Sequence, residues 1–100
     1  MLASTIIVDY IRASIVSTII VDMTPAQSRA ARALLEINQS DLAEKAGLGL
    51  STIVDYEKRR RVVSPEAIAA IEQAFERAGI YFIEENGGGA GVRFSKPRKR

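Results

Sequence analysis

Four consecutive cations, Lys58-Arg59-Arg60-Arg61, form the densest charge in the sequence. A second group, Arg93, Lys96, Arg98, Lys99 and Arg100, follows at the C-terminal end with no acid among its members. Net charge is only +2, so the distribution carries more information than the sum. Clustered cations beside a folded body are the footprint of polyanion binding, and a solvated face with a solubilising tail is the plainer account. Bond-breaking chemistry has few candidates. The chain has no Cys and no His, which removes disulfides, thiol nucleophiles, imidazole acid–base catalysis and the usual zinc sites together. Glu84-Glu85 is an adjacent carboxylate pair, but neighbours on a strand point to opposite faces. The run Asn86-Gly87-Gly88-Gly89-Ala90-Gly91 lacks the Lys-Ser/Thr and following helix of a phosphate loop, and reads as a flexible turn. A binding protein is therefore expected rather than an enzyme, with no cofactor and no metal.

At 100 residues and 47% apolar content, one domain is expected, with a tail at each end. Thr24-Pro25-Ala26-Gln27 opens a helix: Thr24 caps, Pro25 suits the first position, and Gln27 completes a capping box. Ala30, Ala33, Leu34 and Ile37 then recur at helical spacing. Asn38, with Asp41 three residues on, starts a second helix, whose inner face is Leu42, Ala43 and Ala46 and whose end is Gly47. A third short helix runs from about Leu50 to Lys58. Ser64-Pro65-Glu66 opens a fourth, with Ile68, Ile71, Ala74, Phe75 and Ala78 as its stripe and Gly79 as its stop. Ile80-Tyr81-Phe82-Ile83 reads as a strand, and Val92-Arg93-Phe94 returns as its hairpin partner. Such a hairpin is marginal alone and must pack on the helices or on another chain. The expected fold is mainly α, a four- to five-helix domain with a short C-terminal β-hairpin and an N-terminal extension. Its divisions are residues 1–22, 23–79 and 80–100.

Within "QSDLAEKAGLGLSTIVDYEK", Leu42 is apolar and Ala43 is small where two helices cross. Gly47 sits at the bend, Leu48 plugs the core, and Ile53 and Tyr56 face inward. This is the pattern of a helix-turn-helix. The stretch from Met23 to Gly79 resembles the phage Cro and repressor-type (XRE) helix-turn-helix family, on the strength of "NQSDLAEKAGLGLSTIVDYEKRRR". The resemblance covers a little over half of the chain. It implies a DNA-binding regulator that lays the helix at 50–58 in the major groove. It assigns base contacts to Leu50, Ser51, Thr52 and Asp55. The hydroxyls of Ser51 and Thr52 can donate or accept, so they select weakly. Asp55 can only accept, which suits cytosine N4, and the methyl of Thr52, or Val54, can touch a thymine methyl. Gln39 takes a phosphate position at a helix N-terminus. Lys58, Arg59, Arg60 and Arg61 neutralise phosphates, giving affinity and register rather than sequence choice. Each site has a plainer reading. Leu50 packs, Asp55 pairs with Arg59 at i+4, or Gln39 only helps the cap. Two positions depart from the family: Arg59 stands where a glycine usually follows the reading helix, and Leu50 is apolar where a polar reader is common.

The string "STIIVDY" at Ser4 to Tyr10 returns as "STIIVD" at Ser17 and as "STIVDY" at Ser51. Only the third copy has a turn glycine, a cap and helical spacing around it. The first two are β-branched runs suited to a strand or to a poorly ordered extension. Asp9 and Arg12 interrupt the apolar stretch, so no run reaches the roughly 18 to 20 uncharged residues of a membrane span. No positive charge precedes that stretch, as a secretory signal would need. A cytoplasmic protein that does not enter the membrane is expected. The leading functional expectation is a repressor that binds double-stranded DNA as a homodimer, with residues Ile80 to Phe94 as the candidate contact. The alternative is an antitoxin-like module that neutralises a partner protein, a toxin, and autoregulates its operon.

Overall fold

The computed structural model describes residues 23–98; the expectations for residues 1–22, and for Lys99 and Arg100, lie outside them. Among the described residues four helices precede one hairpin: α1 (Pro25–Leu35), α2 (Gln39–Ala46), α3 (Leu50–Glu57), α4 (Pro65–Arg77), β1 (Ile80–Ile83) and β2 (Gly91–Phe94). None of these helices is long and apolar enough to cross a membrane. Three helix starts are written in side chains. Thr24 Oγ1 accepts from the Gln27 amide at 3.2 Å, and Gln27 Oε1 accepts from the Thr24 amide at 2.9 Å. Asn38 and Asp41 repeat that exchange at 2.7 and 3.1 Å. Ser64 Oγ caps α4 through the Ala67 amide. Each side chain satisfies a backbone donor that the helix leaves unpaired.

The ends of α1, α2 and α3 share one geometry. Glu36, Gly47 and Arg59 stand in the left-handed region, at φ 57, 69 and 55. The next residue's amide reaches back to a carbonyl five residues earlier: Ile37 to Arg32, Leu48 to Ala43, Arg60 to Asp55. These are Schellman endings, and only the middle one uses the glycine that makes them free of Cβ strain.

The core joins all four helices to the hairpin. Leu42, Ile53, Ile71 and Phe75 are fully buried, with Ala31, Ala43, Ala74, Val63 and Ile80 around them. Phe75 meets Phe82 edge to face, with centroids 5.8 Å apart. β1 and β2 pair antiparallel, Ile80 opposite Phe94 and Phe82 opposite Val92. Those four side chains belong to the core or pack against it, so the hairpin closes on its own helices, as its marginal stability alone requires.

The face of α1 differs from expectation. Ala30 and Ala33 are exposed and Leu34 is 37% exposed, while Gln27, Ser28 and Ala31 are buried. The helical spacing holds, but the apolar positions do not mark the buried face, since two polar residues turn inward and make specific bonds. Gln27 Nε2 donates to the carbonyls of Ile83 at 3.2 Å and Gly91 at 2.8 Å, fastening the loop end of the hairpin to α1. Ser28 serves the site below.

Candidate nucleic-acid interface

α3 separates a buried floor from an open upper side. Ile53 is fully buried, and Tyr56 is nearly so. Tyr56 Oη donates to the Met23 carbonyl at 2.9 Å. Burial pushes its phenol up to about 12 against the lowering effect of Arg59's charge, so it remains a neutral donor. On the other side Ser51 is exposed and Thr52 and Asp55 are half-buried, while Leu50, one turn before Ile53, is 47% exposed at the N-terminal end. Leu50 therefore stands out from the surface. Among the described residues the hydroxyls of Ser51 and Thr52 take part in no side-chain hydrogen bond. Lys58, Arg59, Arg60 and Arg61, all exposed, follow directly.

The expected pairing of Asp55 with Arg59 is corrected. Asp55 Oδ2 accepts from Arg61 Nε at 2.7 Å. The left-handed turn at Arg59 takes that side chain off the helical i+4 row, and the chain comes back two residues later with Arg61 over Asp55. Helix α3 thus stops where the family pattern has it stop, with an arginine in the glycine conformation.

Beneath the open side lies a network that sequence reading missed. The Glu57 carboxylate is 1% exposed and receives Ser28 Oγ at 2.6 Å, Arg32 Nη2 at 2.8 Å and Gln39 Nε2 at 3.1 Å. Arg32 Nε donates to the same carboxylate at 3.0 Å, and Arg29 Nη1 reaches the Glu57 carbonyl at 2.6 Å. Burial, the largest single influence, pushes the Glu57 carboxyl up. The hydrogen bonds from Arg32, Ser28 and Gln39, with the charge of Arg32, overcome it and leave the carboxyl below its ordinary 4.5. Glu57 therefore stays ionised and ties α1, α2 and α3 together. Gln39, expected at a phosphate, is anchored inward by its amide nitrogen while its backbone N–H groups begin α2. Arg29 is a further exposed cation held at the C-terminal end of α3. No local signal pointed to this set, because Arg32 and Glu57 are 25 residues apart in sequence.

A buried floor, exposed or half-buried hydroxyls and a flanking cation cluster can take up a grooved polyanion. A helix-turn-helix family model, HTH_3, matches residues 29–82, from the first turns of α1 into β1. No curated protein matches the chain. The match spans more than half of the sequence, and the geometry agrees with it: the chain belongs to the Cro/C1-type (XRE) helix-turn-helix family of DNA-binding regulators.

Proposed function

We propose that this DNA-binding regulator is a sequence-specific repressor, that it reads the major groove with α3, and that it acts in the cytoplasm by occupying a promoter. The observation that carries the reading is the polarity of α3: Ile53 and Tyr56 are buried while Leu50 and Ser51 stand open at its N-terminal end. Entry by that end brings Ser51 and Thr52 to base edges, and Leu50 to an apolar base feature such as a thymine methyl. Asp55 keeps one carboxylate oxygen for a cytosine amine, with Arg61 held against the other. Lys58 and Arg60 meet phosphates, joined by Arg59 and by the α2 N-terminus at Gln39.

The protein works as a two-fold dimer in this reading. The hairpin is its contact, because Tyr81 is 50% exposed on the outer side, with Arg93 stacked 4.9 Å from its ring centre. Aromatic and arginine side chains of this kind anchor interfaces.

Binding titrations against a random duplex library test the base-reading model. Arg60→Ala weakens binding to every sequence and lowers the slope of log affinity against log salt by about one. Thr52→Ala instead changes the ranking of sequences, with losses of about 1 to 3 kcal/mol on the preferred site. If both variants bind the library as the parent does, α3 is not the reading helix.

A further inference from the structure

A cleft of about 580 Å³ opens between the start of α1 and the connection from α3 to α4. Its lining includes the apolar Val62, Val63 and Ile68 with Tyr56, and the cationic Arg59 and Arg61. Two features mark this cleft. Arg59 holds the left-handed conformation at φ 55, where a Cβ costs roughly 1–2 kcal/mol and a glycine would end the helix without strain. Val62 is 94% exposed beside Val63 at 5%, so it contributes nothing to packing while standing at the cleft.

We propose that this cleft is a second binding site, for a small amphipathic carboxylate, and that its occupant acts on the reading helix through Arg61. The chemistry of the lining selects the ligand. A mostly apolar lining that includes two arginines and no acidic residue suits an acyl or aryl body with an anionic head. Guanidinium and carboxylate match in geometry as well as charge. The volume lies within the usual range for small-molecule sites, about 300–1,000 Å³. Arg61 is the link. Its Nε is bonded to Asp55 Oδ2 at 2.7 Å, and the same residue belongs to the lining of the cleft. A carboxylate in the cleft competes with Asp55 for that guanidinium and releases Asp55 toward DNA. This second step rests on the repressor reading above. By linkage, DNA that engages Asp55 changes the affinity of the cleft by the same factor.

Two measurements on the full chain decide the proposal, with decanoate as the probe and decanol as the uncharged control. In calorimetry without DNA, decanoate binds saturably at one site per chain, and decanol binds at least about ten-fold more weakly. Val62→Asp sets a like charge at the mouth without removing a packed side chain, and lowers decanoate affinity by about ten-fold or more. Absence of saturable binding, equal affinity for decanol, or an unchanged Val62→Asp variant overturns the site. In the second measurement, saturating decanoate reorders the sequence preferences of the parent on a duplex library and leaves those of Asp55→Asn unchanged. An unchanged parent ranking overturns the link to the reading helix. A chain that binds no DNA overturns the repressor reading and the link with it, while calorimetry still decides the cleft.

Discussion

Glu57 is the residue on which the most geometry converges. Its carboxylate is buried and answered by Ser28, Arg32 and Gln39. Removing the charge by Glu57→Gln leaves Arg32, whose side chain is 19% exposed, with its ionic partner gone. The expected loss is about 3 kcal/mol, the low end for breaking a buried pair because Arg32 keeps some water. A urea unfolding midpoint measures it. The pH dependence follows from the same carboxylate. Its folded-state value lies below the ordinary 4.5, so the stabilisation is complete above 4.5 and is lost as pH falls through the lower folded value. The midpoint of the parent therefore declines more steeply below pH 4.5 than that of Glu57→Gln. Sequence spacing could place Ile53 and Tyr56 because helical periodicity is local. It could not place Glu57, since the partners of a buried carboxylate come from other helices and leave no period in the chain.

Among the elements, the turn between α2 and α3 and the tether of the hairpin carry the arrangement. A Cβ built at Gly47 meets no atom within 4 Å, so Gly47→Ala is opposed by backbone strain alone. It should destabilise by about 1 kcal/mol, and Arg59→Gly should return a similar amount; paired urea titrations show both. Gln27→Ala removes two bonds to the hairpin carbonyls and half of a capping box. A loss of roughly 2 to 3 kcal/mol is expected, with faster amide exchange across β1 and β2 as the specific signature. Most of this scale was legible beforehand. The Thr24, Asn38 and Ser64 caps, Gly47 and the two strands carry their meaning in residue type and position. The facing of α1 was not legible. Apolarity pointed to Ala30, Ala33 and Leu34, whereas Gln27 and Ser28 occupy the interior by virtue of what they bond, which a hydrophobic pattern does not record.

For the molecule as a whole, the argument concerns charge and symmetry. A net charge of +2 gives little long-range attraction, so affinity depends on where the cations stand. If the hairpin pairs two copies, a duplex with two half-sites about 10 base pairs apart binds far more tightly than one half-site. Moving the half-sites by about half a helical turn abolishes the gain, because the two reading helices then face opposite sides of the duplex. Fluorescence anisotropy on three such duplexes measures this; equal affinities for all three would exclude two-site reading. Charge distribution was visible in the sequence, while the dimer contact depends on surfaces meeting between chains and leaves no spacing to read.

The network under α3 has an evolutionary corollary. Ser28, Arg32, Gln39 and Glu57 fasten the C-terminal end of α3, and Leu50 and Ser51 stand exposed at its N-terminal end. On the proposed reading, the residues that name an operator are thus not those that keep the chain folded. If α3 reads DNA as proposed, successive exchanges at positions 50 and 51 redirect the protein to new genomic addresses while thermal tolerance holds steady, and divergence among descendants should run through those two letters first.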